Sequence, residues 1–237
     1  GGGQTRTEPY KNTSIVNVPG KGNVIRTTLA ANQYGSSYGA VLFPDLERSV
    51  DQACMSYDIR FTGPQGFDFD LGGKLPGLEG VRPGVAPGVP AGGAFPRSDG
   101  WSSRGMWLGP DAYSWAKPAG YGVSLLYHID QEDIYGDNLR WNTSYVNGQW
   151  HRVKHCERMN TPGQSNGYER AFLDGRLVYN DPTVQFRTRD DVHITHIMWS
   201  LFRGGGDSSW AAPTEGWVDI DNVLVSEKAN IEPTVNL

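Results

Sequence analysis

The segment Gly72-Gly73-Lys74-Leu75-Pro76-Gly77-Leu78 gathers permissive and rigid backbone positions around one cation. Paired glycines open backbone paths closed to residues with a Cβ, and Pro-Gly turns the chain again. The string predicts Lys74 held between two constrained turns, its ammonium rising from a fixed origin. An exposed lysine in a turn is the plainer alternative. Further on, Ser102 and Arg104 stand two residues apart, so on a strand they share a face. Tyr127 shares a face with Leu125, and His128 lies on the opposite one unless a bulge intervenes. Asp219 and Asp221 also fall on one face. Carboxylates so placed suit a structural Ca²⁺, and equally a solvated strand face.

The other polar candidates point less sharply. His151, His155, His193 and His196 are scattered, and His193 and His196 differ in parity and lack metal-ligand company. They read as structural or surface groups. Cys54 and Cys156 sit in separate strand-like segments, compatible with one disulfide or with two buried thiols. Two cysteines without a matching His/Cys cluster make no zinc site. Trp101, Trp107, Trp115, Trp141, Trp199 and Trp210 are suited to stacking on sugar rings or to filling a core.

Strands must position these groups. In Met55-Ser56-Tyr57-Asp58-Ile59-Arg60-Phe61 the odd positions are apolar and the even ones polar, the period of a half-buried strand. Similar segments include 40–43, 54–61, 103–108, 123–129, 151–159, 168–173, 192–202 and 217–225. Asp174-Gly175 between two of them is a two-residue hairpin signal. With 31 Gly and 15 Pro in 237 residues, nearly every stretch long enough for a helix is interrupted. These features predict an all-β, single-domain β-sandwich or jelly roll over 1–237, with 1–20 a loosely ordered arm. Arg82–Phe95, rich in Pro and Gly, reads as a long surface loop of the kind that lies over binding sites.

Charge narrows the partners. The net charge is −5 and the pI about 5.5, with no basic run, so a nucleic-acid groove is not expected. No apolar stretch approaches the ~18 residues of a membrane span, so no membrane partner is expected. An anionic ligand remains compatible, because a few basic residues can converge inside an acidic protein.

Taken in order, these strings resemble polysaccharide lyase family 14, the alginate and glucuronate lyases, and the related family 20 glucuronan lyases. The likeness spans about Ala40 to Ser226 and includes Gly72–Leu78, Trp101-Ser102-Ser103-Arg104, Asn160-Thr161-Pro162-Gly163 and Asp219-Ile220-Asp221-Asn222. It implies a jelly roll whose concave sheet forms a cleft for an anionic glycan, cleaved by β-elimination at a uronate. It places Lys74, Arg104 and Tyr127 in catalysis. Ser102 joins them in holding substrate, with Tyr121, His128 and Trp107 as further substrate-binding candidates. Leu125 stands where the family pattern has a first tyrosine, so the acid/base pair is open among Tyr127, Lys74 and His128.

The reaction explains the residue types. The C5 proton of a uronate is weakly acidic until cationic or donor groups neutralise the C6 carboxylate. A guanidinium such as Arg104 pairs carboxylates bidentately. Tyrosine, with an ordinary pKa of about 10, becomes a base only where neighbours depress it, which Lys74 and Arg104 would do. The expected partner is an anionic polysaccharide met outside the cell by a secreted, monomeric enzyme. No cofactor is required for catalysis, and a structural Ca²⁺ is compatible. A non-catalytic carbohydrate-binding module and a jelly-roll hydrolase are the alternatives. The Glu-x-Asp-x-x-Glu string of laminarinase-type glucanases does not occur.

Overall fold

A computed structural model describes residues 11–88, 92–93 and 98–228. Its strands are β1 (Thr13–Val18), β2 (Gly22–Leu29), β3 (Ala40–Leu42), β4 (Asp45–Val50), β5 (Gln52–Thr62), β6 (Gly72–Val81) and β7 (Gly100–Leu108). They continue as β8 (Tyr121–Tyr127), β9 (Asp137–Ser144), β10 (Trp150–Arg158), β11 (Gly167–Leu173), β12 (Arg176–Val184), β13 (Ile194–Arg203) and β14 (Gly216–Ser226). Among the described residues there is no α-helix, and none long and apolar enough to cross a membrane. The order β1-β2-β14-β5-β10-β11-β12 forms the first sheet. The second runs β3-β13-β6-β7-β8-β9, with β4 also on β13. This two-sheet antiparallel architecture is the expected jelly roll.

Alternation decides which side of each strand meets the core. Met55, Tyr57, Ile59 and Phe61 of β5 are fully buried, while Asp58 and Arg60 between them reach the outer face. Trp101 and Trp107 of β7, Leu75 and Leu78 of β6, and Trp141 of β9 meet them from the second sheet. Phe61 lies 5.0–5.3 Å from the rings of Phe67, Phe69, Trp107 and Tyr145, in tilted or edge-on geometry. Asp174 and Gly175 take φ of 52° and 77°, the left-handed pair that closes the β11–β12 hairpin. Cys54 and Cys156 are direct cross-strand partners on β5 and β10 and form a disulfide.

Four expectations need correction. Residues 13–18 of the supposed arm are strand β1, fully paired to β2, while 1–10 lie outside the described residues. Gly72–Leu78 is not a pair of turns but the first seven residues of β6, a central strand. Its glycines serve close approach: a Cβ on Gly73 would fall 2.2 Å from the Trp107 ring, and one on Gly77 would fall 2.1 Å from Ser103 O. Trp107 is buried between the sheets, its Nε1–H donating to Phe69 O, so it cannot touch a substrate. Asp219 and Asp221 are not a calcium pair. The fully buried Asp219 carboxylate accepts from Arg26 Nε at 2.7 Å and Arg60 Nη2 at 2.6 Å, and Asp221 lies 3.7 Å from Lys21 Nζ. Two guanidiniums already neutralise Asp219 and would repel a cation.

Candidate active site

The second sheet has one face on the core and one turned away from it. On the outward face Lys74 pairs with Met106, Gly77 with Arg104, and Glu79 with Ser102. On the next strand Arg104 pairs with Leu125 and Ser102 with Tyr127. Lys74, Arg104 and Tyr127 therefore run diagonally across β6, β7 and β8.

A bulge makes this possible. Between Lys74 and Gly77, β6 spends one residue more than β7. Lys74 and Glu79 are five apart and would point oppositely on a regular strand; the extra residue brings both outward. Leu75 and Leu78, three apart, both reach the core for the same reason. Pro76 sits in the bulge, where its missing N–H costs no ladder bond, and its carbonyl accepts from Tyr57 Oη at 3.2 Å.

Each polar group has a defined seat. The half-buried Lys74 has its Nζ 3.1 Å from Met106 Sδ and 5.6 Å from the centre of the Trp210 ring. Arg104 is 6% exposed and donates from Nη1 to Ser200 Oγ at 2.9 Å. Its guanidinium lies 5.9 Å from the Tyr127 ring centre, close enough for the two groups to act on each other electrostatically. Among the described residues its buried Nε has no acceptor, a spare donor. Glu79, fully buried, accepts the Gly88 N–H on both oxygens at 3.0 and 3.1 Å. That bond draws the Pro/Gly loop across the sheet, and a Cβ on Gly92 would lie 3.1 Å from Tyr127 Oη. Residues 89–91 and 94–97 of the loop lie outside the described set.

Burial and charge set the protonation states. Burial, with Arg104 adding repulsion, holds the Lys74 amine well below its usual range. Burial raises Tyr127 despite the lowering by Arg104, so the expected depression of this tyrosine does not occur. Burial also pushes Glu79 up to about 8, against the Gly88 N–H and Arg104.

The remaining candidates separate from this group. Tyr121 lies on the same face, six residues along β8 and about 20 Å from Tyr127 at strand rise, toward the Lys74 end of the face. Its hydroxyl donates to Asn142 Oδ1 at 2.7 Å and accepts from the Asn142 N–H at 3.2 Å. His128 follows the end of β8 and pairs through Nε2 with Asp137 at 2.7 Å. Of the six tryptophans, Trp101, Trp107, Trp141 and Trp199 fill the core, while Trp115 and Trp210 flank the outward face. Glu79, Met106 and Ser200 complete the site without having been singled out, alongside Trp210, one of the stacking candidates. Only the bulge, invisible to regular alternation, puts Glu79 on this face.

A sheet face bearing a shielded amine, a buried guanidinium with a spare donor and a protonated tyrosine suits an enzyme acting on an anionic chain. The polysaccharide lyase 14 family model matches residues 19–223, and the chain belongs to that family. It is a polysaccharide lyase. Among solved structures it is similar to a PL-14 alginate lyase from Aplysia kurodai, at 25% identity and a TM-score of 0.79, covering 92% of this chain and 87% of that one. Alginate lyase vAL-1 from Chlorella virus shares the fold at 20% identity and a TM-score of 0.71, with coverage of 92% and 90%. An endo-β-1,4-glucuronan lyase from Trichoderma reesei shares it at 17% identity and a TM-score of 0.56, with coverage of 91% and 87%. A search of curated proteins by sequence returns no significant match.

Proposed function

We propose that the protein cleaves glucuronan- or alginate-type chains by β-elimination, with Lys74 as base, Tyr127 as acid and Arg104 as the carboxylate clamp. The observation that carries this reading is the placement of all three on one face of three adjacent strands. Arg104 pairs with the C6 carboxylate of the reacting uronate, with Ser102 beside it, and lowers the cost of negative charge at C5. The Lys74 amine, unprotonated more readily than an ordinary lysine, takes the C5 proton. The electron pair forms the C4–C5 double bond as the C4–O bond breaks. Tyr127 keeps its proton at neutral pH and delivers it to the departing oxygen. The leaving fragment gains a reducing end, and the other fragment ends in an unsaturated uronate. No cofactor takes part in this sequence.

The Cys54–Cys156 disulfide supports action in an oxidising compartment outside the cell, where such polymers are met. All the groups invoked come from one chain, which supports action as a monomer.

A substrate panel tests the proposal. The protein is incubated with polyglucuronate, polymannuronate, polyguluronate and neutral glucans while the ultraviolet absorbance of the unsaturated product is followed. Absorbance growing on at least one polyuronate, and not on the glucans, is expected. New reducing ends without absorbance would establish hydrolysis instead, and binding without cleavage would establish a carbohydrate-binding module.

A further inference from the structure

Behind the catalytic face, between the sheets, lies a group of polar side chains that the elimination does not use. His155 and Glu157 stand two apart on β10, and Glu169 of β11 is the direct cross-strand partner of Glu157. All three side chains are fully buried, and their potential ligand atoms lie within 4.8 Å of one another. Among the described residues neither ring nitrogen of His155 has a hydrogen-bond partner, nor does either oxygen of Glu157, nor Oε2 of Glu169. Ser103 Oγ has one proton and gives it to Glu169 Oε1 at 2.7 Å, and the Ser124 hydroxyl also acts on Glu169. The charges acting on Glu157 and Glu169 belong to further carboxylates, Glu169 and Asp181, rather than to a cation. Opposite them β7 carries Gly105, where a Cβ would lie 3.3 Å from His155 Nε2 and 3.1 Å from both Tyr57 Oη and Leu75 Cβ, so only a glycine lets β7 pass this close to the imidazole.

Five unsatisfied polar atoms in one dry spot are a large cost for a fold, since each buried unpaired group forfeits its hydration with nothing in return. From this geometry we infer that His155, Glu157 and Glu169 form a binding site for one divalent transition-metal ion of the zinc class. One imidazole and two carboxylates match a dication in charge and satisfy all three side chains together. The imidazole disfavours Ca²⁺ and Mg²⁺, which take oxygen ligands, and favours Zn²⁺ or its neighbours. Tetrahedral zinc, with bonds of about 2.0–2.2 Å, sets its donors about 3.3–3.6 Å apart. The ligand atoms, within 4.8 Å of one another, would have to close by about an ångström, and Ser103 Oγ, 2.7 Å from Glu169 Oε1, offers one further oxygen. The ion would join β10 and β11 to β7, the strand carrying Ser102 and Arg104, as a structural clamp beneath the active face. Because the site is enclosed, the ion enters as the chain folds.

The test unfolds the disulfide-intact protein in guanidinium and refolds it with Zn²⁺, with Co²⁺ or with a chelator. One equivalent of zinc retained through gel filtration is expected. Melting should rise by about 5–10 °C at a hundredfold excess over the dissociation constant. Co²⁺ should give visible absorption and broaden the NMR signals of His155. His155→Gln and Glu157→Gln should lose the metal, while a surface variant lacking His193 and His196 keeps it. Wild-type protein refolded in Zn²⁺ with no more metal than a blank overturns the inference. So does metal retained by both buried-site variants, or Co²⁺ broadening confined to His193 or His196. Should the buried-site variants fail to fold, zinc content and the Co²⁺ signals of the wild type decide. None of these readings depends on lyase activity.

Discussion

Replacing Tyr127 by Phe removes a single oxygen from the active face and leaves a ring that is already 98% buried in place. Two consequences can be separated. The hydroxyl interacts with the Arg104 guanidinium, and losing a contact with a charged group costs at most about 1.5–3 kcal/mol. In a domain of this size that amounts to a fall in melting temperature of about 3–12 °C, which leaves the protein folded at assay temperature. The kinetic loss should be larger: removing a positioned acid lowers kcat on polymer by about 10²–10⁴-fold. If Tyr127 acts as acid, the loss depends on the leaving group. A uronide carrying an aryl ether at C4 expels a phenolate that needs no proton, and on it Tyr127→Phe should regain most of the deficit. Lys74→Met should regain none, since C5 still needs a base. The pH profile gives a second reading. Wild-type kcat/KM should rise as Lys74 loses its proton at a pH below the ordinary lysine value of 10.5, and fall as Tyr127 ionises above 10.0. Tyr127→Phe should lose the alkaline limb alone. Recovery of Lys74→Met on the aryl substrate, without recovery of Tyr127→Phe, would reverse the two roles. A Tyr127→Phe rate on polymer close to wild type would refute the acid role outright.

Other perturbations test the scaffold and its charges. Glu79 takes up a proton at about 8 in the folded state against 4.5 unfolded, so between those values the native state binds more protons. Its contribution to stability is thus complete below pH 4.5 and is lost as pH rises toward 8, at about 1.4 kcal/mol per pH unit. Glu79→Gln should remove this slope from urea titrations across that range; an unchanged slope would show that Glu79 does not hold its proton. Asp219→Asn leaves Arg26 and Arg60 facing a neutral group within the first sheet, away from the active face, at a cost of about 3–5 kcal/mol in denaturant unfolding with kcat unchanged. Gly73→Ala drives a methyl into the Trp107 ring and the Phe202 carbonyl, and should lower stability by at least 1–3 kcal/mol in thermal unfolding.

Much of this protein is readable from local chemistry, because alternation and turn types are local properties. Met55–Phe61 alternates in sequence and alternates in the sheet, and Asp174-Gly175 closes the hairpin its residue types call for. Lys74, Ser102, Arg104 and Tyr127 could be singled out because their residue types and spacing survive translation into strands. Their meeting on adjacent strands could not be read that way. It depends on the order β6-β7-β8 and on register, which are set by pairing over long stretches of chain. The bulge at Leu75–Pro76 inverts the parity that sequence reasoning relies on, and so hid Glu79. Trp107 was misplaced because an indole in a strand has the same local signature whether it faces core or cleft. Asp219 looked free because its two guanidiniums come from Arg26 and Arg60, on the strands either side of it and 193 and 159 residues away along the chain. His155 looked isolated because its companions are a neighbour on its own strand and a cross-strand glutamate. The sequence alone determined the elements and the chemical repertoire. Which groups touch, which lose water, and therefore which hold or release a proton, were decided by packing two sheets together, since desolvation exists only once the tertiary structure has closed.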